Sequence, residues 1–381
     1  MMRIITNAGE LARALGLAAL RVDELTLKRV PALGAVRIKA YDAVEIAGNV
    51  LDFAVTAKAD AEIAESGEIA VSGAALATLA AGFSDGSKVM IAAENTATVT
   101  CGRSRYRLPL FPLDNLPAPL VLDGDIGTAV TIEGAALSRL LGAHAVADKE
   151  VTRYYLNGIL LRSVGDDLHG IATDSRRLVR IATRAGHFSP DRDLTVPLRA
   201  ATVLDKLINR TRPDEVTLCR SKALLAVKSA DVLFVTKLID GIYPDYTRVI
   251  PKPSDNTVEV ERAELLAALG RLAAVAKAAG QAAVTALEWG DGGALLLYLA
   301  NDIADDAVAG EGRGRGQVAM AIESFIDLLE AIDGKRIVLD AGSCADPMRI
   351  GVAGNGRVLA LQMPCTFHFR PDTHQTNEAE E

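Results

Sequence analysis

The side chains of this sequence whose types could do chemistry are an aspartate in the run Thr173-Asp174-Ser175-Arg176-Arg177, three close aspartates at Asp302, Asp305 and Asp306, five histidines and four cysteines. Asp174 has the character of a general acid or base only in isolation, because no serine, histidine and acid set with a nucleophile elbow accompanies it. The trio Asp302, Asp305 and Asp306 suggests a cation site, yet no glycine-punctuated calcium loop surrounds it, and solvated loop charge is the better reading. His144, His169, His187, His368 and His374 show no metal-ligand spacing. Cys101, Cys219, Cys344 and Cys365 lie far apart without a CxxC pair, so neither a zinc site nor a disulfide framework is suggested and reduced thiols are expected. The alternating glycines of Gly310-Glu311-Gly312-Arg313-Gly314-Arg315-Gly316 lack the strand-to-helix context and the Gly-Lys-Ser/Thr ending of a phosphate loop. They read as a flexible hairpin loop, with two arginines brushing phosphates as the lesser alternative. No catalytic residue, metal or cofactor is expected, and function must come from binding surfaces.

Those surfaces have to be positioned by a chain of 381 residues, half of them apolar. That length exceeds a single ordinary core, so two or three domains are expected. The first residues carry no long apolar run, and nothing approaches the roughly 18 continuous apolar residues of a membrane span. A soluble cytoplasmic protein without a membrane partner follows. The net charge of −8 argues against a whole surface that binds nucleic acid but leaves room for local basic patches.

The same order of elements recurs three times at a spacing of about 125 residues. Each copy opens with a short strand and an amphipathic helix, carrying Leu11, Leu15 and Val22, then Leu137, Leu140 and Leu141, then Leu265, Leu269 and Leu272 on one face. A second helix follows in each, running directly into a strand. Ser72 can cap the first of these helices, Pro197 starts the second, and Gly334 can close the third in a left-handed cap. Gly354-Asn355-Gly356 marks a hairpin. The fold class is α+β, with three repeated domains of two helices packed on antiparallel sheet, at 1–126, 127–254 and 255–368, and an acidic tail at 369–381 expected to be disordered. The proline of the link at 252–257 fits the second boundary. Small residues (Ala18, Ala19, Ala74, Ala273) would make the free helix face smooth.

Arg153-Tyr154-Tyr155-Leu156-Asn157-Gly158 and Ala172-Thr173-Asp174-Ser175-Arg176-Arg177-Leu178 are similar to the RYYLNG and ATDGHRLA segments of the beta subunit of bacterial DNA polymerase III, the sliding clamp family. The stretch from Lys237 through Asp240-Gly241-Ile242-Tyr243-Pro244-Asp245-Tyr246 to Arg248-Val249-Ile250-Pro251 is similar to its SKLVDGxFPDYxRVLP segment. Arg103-Ser104-Arg105-Tyr106 and Met363-Pro364 also match, with the first and third domains more diverged. The resemblance implies a DNA-clamp fold whose domains assemble head-to-tail as a homodimeric ring with helices lining the hole. It implies a processivity factor, a non-catalytic subunit of the polymerase III holoenzyme. Such a factor encircles double-stranded DNA without sequence preference and docks the polymerase III catalytic subunit, other polymerases, the clamp loader and repair proteins.

A ring that slides needs few, inward, sequence-independent phosphate contacts. Candidates on or beside the expected helices are Arg21, Lys28, Arg29, Lys149, Arg153, Arg199, Lys206, Arg210, Arg271 and Lys277, each with solvated surface charge as its alternative. Tyr154 and Tyr155 are implied near DNA, where a ring could stack on a base, the alternative being core packing. Ring closure would place Tyr106 and Leu108 opposite Ala274 and Val275 of a second copy, extending a sheet across the boundary. The implied partner site is an apolar peptide pocket walled by Leu156, Thr173, Ser175, Arg176, Leu178, Pro244, Arg248, Val249, Leu361, Met363 and Pro364. Burying two large apolar peptide side chains there yields about 3–6 kcal/mol before ordering costs, in keeping with exchangeable binding.

Ser175 and Arg176 stand where the family has Gly-His, and the chain continues past the family's usual end through Phe367-His368-Phe369-Arg370 into the acidic tail. That extension starts beside the pocket and is expected to compete for it or screen it. The altered pocket and tail motivate one alternative, a clamp-like paralogue with a regulatory or ligand-sequestering role that is not loaded at the replication fork.

Overall fold

The structure, a computed structural model, describes residues 2–122, 129–185 and 193–370. Seven α-helices run through them: α1 (Ala8–Ala18), α2 (Glu24–Arg29), α3 (Gly73–Gly82), α4 (Gly134–Leu141), α5 (Leu198–Thr211), α6 (Arg262–Ala278) and α7 (Ile322–Glu330). The starts of α1, α2 and α3 follow capping chemistry. The Asn7 side chain accepts the Glu10 N–H at 2.7 Å, Asp23 accepts from Thr26 at 2.9 Å and Ser72 from Ala75 at 3.3 Å, each satisfying a donor that the first helical turn leaves open. The apolar stripes then bury as their period requires: Leu11, Leu15, Leu137, Leu140, Leu141, Leu265, Leu269 and Leu272 are all sealed from solvent. α1 packs on α3 and α6 on α7, while the Ser138 hydroxyl of α4 donates to Asp205 of α5 at 2.7 Å.

The chain divides into two compact units, one built mainly from Met1–Ser138 with Arg199–Asp240 and the other mainly from Arg139–Arg184 with Gly241–Glu381. The first holds two antiparallel sheets. One has five strands in the order Ala61–Glu65, Met2–Asn7, Lys88–Ala93, Thr96–Cys101, Ser104–Pro109. The other has eight, in the order Val130–Glu133, Glu215–Arg220, Leu224–Lys228, Val232–Lys237, Phe53–Ala59, Val44–Asn49, Ala35–Ala40, Gly67–Ser72. The second unit holds a nine-stranded sheet, ordered Leu194–Pro197, Gly158–Val164, Asp167–Thr173, Arg177–Arg184, Asn355–Gln362, Met348–Val352, Arg336–Asp340, Thr257–Glu261, Gly310–Arg313. Its four-stranded sheet runs Asp305–Val308, Leu295–Leu299, Val284–Trp289, Gly316–Ala321. Strands such as Val44–Asn49 and Phe53–Ala59 alternate buried and partly exposed residues, the pattern of a sheet with one face on a core.

Four local expectations are corrected. Val22 does not share the α1 face: the Ala19 N–H closes the helix on the Leu15 carbonyl at 2.7 Å, and Asp23 starts α2 immediately after. Ala18 is buried rather than on a free helix face. Gly334 is not left-handed, its φ falling outside the positive group. A Cβ there would lie 2.5 Å from Val352 Cγ1, so the absence of a side chain serves close packing. Nor is the glycine run at 310–316 a flexible loop: Gly310–Arg313 pairs with Thr257–Glu261, Gly314 makes the turn at φ +60°, and Gly316 lies under the Trp289 indole.

The last contact sets a testable cost. A Cβ on Gly316 would come within 2.0 Å of Trp289 Cζ2, so Gly316→Ala must displace a buried ring. A loss of about 1–3 kcal/mol is expected for such overpacking, read as a lower midpoint in urea unfolding; an unchanged midpoint would show that the indole moves freely.

Candidate functional site

Antiparallel register assembles the candidate pocket within the second unit. Arg177–Arg184 pairs with Asn355–Gln362 so that Leu178 faces Leu361, and Leu160 faces Ile171 on the neighbouring pair. With Leu156, Leu359, Tyr243 and Tyr246 these residues form one buried apolar cluster, against which Tyr155 and Ile250 pack. Burial also pushes the Tyr243 phenol up from its ordinary pKa, keeping it neutral. Arg162 lies 5.3 Å from the Tyr246 ring centroid and is held there by Asp193 at 2.7 and 2.5 Å, a cation over a π face that fixes the far side of the floor.

Above this floor the remaining candidates stay open. Ser175, Arg176, Pro244 and Arg248 are exposed, and Thr173 and Pro364 half-buried. Val249 and Met363 keep 54% and 43% of their surface in solvent, which for apolar side chains leaves contact area unused. Leu156, Leu178 and Leu361 belong to the floor rather than the walls.

One carboxylate builds the wall turn. Asp174 accepts the backbone N–H groups of Arg176 and Arg177 at 2.9 Å each and the Arg177 Nε at 3.0 Å, while Thr173 Oγ1 donates to the Arg177 carbonyl at 2.7 Å. This lets Ser175 take φ +75°, a conformation that ordinarily favours glycine. Its Oγ accepts from Arg153 Nη1 at 2.9 Å. Asp174 is therefore a structural acceptor. Asp174→Ala leaves two N–H groups and a mostly buried guanidinium short of a partner, and should cost about 1–3 kcal/mol, measured by chemical unfolding; no loss would mean the turn holds itself.

The nucleic-acid candidates separate by what they already touch. The Arg153 guanidinium is engaged by Asp148 at 2.9 Å and Glu150 at 3.3 Å. Arg210 donates to the Gly16 carbonyl at 2.8 Å, and Arg199 to that of Arg21 at 3.0 Å while lying over the Phe53 ring. Lys28 pairs with Glu24 and Arg271 with Asp306, both at 2.8 Å. Arg21, Arg29, Lys149, Lys206 and Lys277 are exposed, and their side chains make no hydrogen bond or ion pair among the described residues. Tyr154 is exposed and meets Tyr155 edge-on with centroids 5.9 Å apart, whereas Tyr155 leans on the pocket floor.

Tyr106 and Leu108 lie on Ser104–Pro109, the edge strand of the five-stranded sheet, with Tyr106 exposed and Leu108 half-buried. Ala274 and Val275 are exposed on α6. The aspartate trio is divided among partners: Asp306 pairs with Arg271, and Asp302 with Arg370 at 2.6 Å. No group of three or more His, Cys, Asp or Glu capable of holding a metal occurs among the described residues.

The extension beyond Pro364 departs from expectation. Up to Arg370 it runs along the four-stranded sheet rather than over the pocket. The Cys365 N–H bonds the Ala319 carbonyl at 2.8 Å, Phe367 meets the Tyr298 ring at 5.9 Å, and Arg370 sits 4.2 Å from the same ring. Aromatic contact and charge draw it there. The tail from 371 to 381, and the first domain boundary at 126, lie outside the described residues.

Sequence reasoning missed Leu160, Ile171, Tyr243, Tyr246, Ile250 and Leu359 as parts of this site. The short buried runs in Gly158–Val164 and Asp167–Thr173 were the available signal, but a short apolar run says core and not which core.

Two family models match the chain, the N-terminal domain of the DNA polymerase III beta subunit over residues 2–121 and its central domain over 131–245. The beta sliding clamp of Pseudomonas aeruginosa is 33% identical over 183 residues, 47% of this chain and 49% of that protein. That of Escherichia coli is 28% identical over 236 residues, 60% of this chain and 63% of that protein. The chain thus spans about half to three-fifths of the curated relatives it matches. Among solved structures, a sliding clamp (DNA polymerase III subunit beta) from Bartonella birtlesii bound to griselimycin superposes with a TM-score of 0.86 at 25% identity, covering 96% of this chain and 100% of that one. The α+β class read from the sequence is the one this fold has.

Proposed function

This chain belongs to the DNA polymerase III beta subunit family, the sliding clamps, and from that premise we propose that it is a non-catalytic processivity factor. It closes as a homodimeric ring on double-stranded DNA and docks polymerases, the clamp loader and repair proteins through the pocket. Three repeated domains, at 1–126, 127–254 and 255–368, carry this work, and the site of action is the cytoplasm; no helix among the described residues is long and apolar enough to cross a membrane.

The observation that carries the reading is a sealed apolar cluster in a unit that also leaves apolar side chains exposed. Val249 and Met363 stay exposed next in chain to Ile250 and close to Leu361 of a sealed apolar cluster, an arrangement that a short peptide with two apolar anchors would complete. DNA contact falls to the exposed, unspent cations Arg21, Arg29, Lys149, Lys206 and Lys277, which suit loose phosphate binding that permits sliding. Tyr154 is the ring available for stacking.

Ring closure is supported by two free sheet edges of opposite charge. Ser104–Pro109 is flanked and punctuated by Arg103, Arg105 and Arg107, all exposed, while Asp305–Val308 opens on exposed Asp305. Joining the five-stranded sheet of one copy to the four-stranded sheet of another would give a sheet as large as the nine-stranded one within the chain, and would retire both edges. Sedimentation at micromolar concentration should give a dimer; monomer alone would contradict the ring.

A further inference from the structure

We propose that the pocket selects an acidic peptide and that Arg176 makes the selection, an inference that rests on the peptide-pocket reading above. Four arginines lie on the rim segments 153–158, 172–178 and 237–251, and three of them are already neutralised. Arg177 pairs with Asp174 at 3.0 Å and Asp327 at 3.1 Å, Arg153 with Asp148 and Glu150, and Arg248 with Asp245 at 3.1 Å. Arg176 is exposed, and its guanidinium makes no hydrogen bond or ion pair among the described residues.

Its backbone, by contrast, is fixed at both ends. The Arg176 N–H donates to Asp174 Oδ1 at 2.9 Å, and its carbonyl accepts from the Met363 N–H at 2.8 Å. An unspent cation is thereby mounted on the same wall as an exposed apolar residue, next to a floor that excludes water. A carboxylate beside the apolar anchors of an incoming peptide gains a charge-assisted partner there, whereas a basic residue meets repulsion. The chain as a whole carries −8, so its long-range field disfavours acidic ligands, and a preference for them must arise locally.

Arginine also separates this pocket from one with histidine at the same place, which the resemblance would lead one to expect. A guanidinium stays charged across physiological pH, while an imidazole does not. Acid selection by Arg176 should therefore be flat with pH.

Two short fluorescein-labelled peptides test this, sharing leucine and phenylalanine anchors, one with Asp and Glu at the other positions and one with Asn and Gln. Anisotropy with the full chain at low salt should show about fivefold tighter binding of the acidic peptide, the size of one rim ion pair. The preference should hold from about pH 5.5 to 8 and vanish in Arg176→Gln. In Arg176→His it should appear only towards the acid end, below about pH 6.5. Equal binding of both peptides to the wild type, or a preference that survives Arg176→Gln, would overturn the proposal and leave the pocket standing. If neither peptide binds the wild type, the pocket reading itself fails and takes the proposal with it.

Discussion

Replacing Val249 and Met363 together by alanine should weaken binding of a peptide with two apolar anchors by about 30- to 100-fold, while leaving thermal stability within experimental scatter. The substitutions remove two carbons from one wall and three heavy atoms from the other. At roughly 0.8 kcal/mol per buried methylene, discounted because a shallow pocket covers each only partly, about 2–3 kcal/mol of binding is lost. Folding should hardly notice, since both side chains are already half in solvent and exposed truncations rarely matter to stability. Floor residues behave oppositely. Leu178→Ala and Leu361→Ala, each at 3% exposure, should cost about 2–5 kcal/mol of stability, so their effect on binding could not be told from unfolding. Anisotropy titration with a labelled peptide, paired with a melting curve, separates the two classes. Undiminished affinity in the Val249, Met363 double variant would place the peptide elsewhere.

The second large effect concerns the basic edge. On the proposed ring closure, reversing Arg105 and Arg107 to glutamate puts like charge opposite Asp305 of the neighbouring copy, and unpaired like charges in a closing interface cost several kcal/mol. The dimer should loosen by about 100-fold or more, enough to turn a micromolar sample into monomer in sedimentation, with circular dichroism unchanged because both arginines are exposed. Mixing this variant with Asp305→Lys chains should restore heterodimers. If the reversed chain still sediments as a dimer, another surface closes the assembly.

The helices were the most legible part of the sequence, for a physical reason. Leu137, Leu140 and Leu141 repeat at a period only a helix satisfies, and Ser72 offers an oxygen where a helix start needs one, so local rules sufficed. Glycines were legible only where their reason was local. Gly354 turns a hairpin at φ +70° as its neighbours suggested, but Gly334 and Gly316 are glycine because Val352 and Trp289 press on them from distant parts of the chain. No spacing announces that.

The candidate site divides the same way. Resemblance named residues that one cluster and its rim bring together, yet it could not say that Leu156, Leu178 and Leu361 are floor while Val249 and Met363 are wall, because depth comes from strand register. Nor could it foresee that Asp148 and Glu150 would occupy Arg153, or that Tyr298 would draw Phe367 and Arg370 away from the pocket. Charge counts in sequence; which charges are already spent is a property of the fold.

The most direct test of the central claim is topological. The protein would be incubated with primed circular duplex, a clamp loader and ATP, then washed in high salt before and after the circle is cut. A sliding ring should remain on the intact circle, where phosphate contacts alone would be screened away, and should run off once the DNA is linear. Release from the uncut circle in high salt, or retention that persists on cut DNA with free ends, would contradict it.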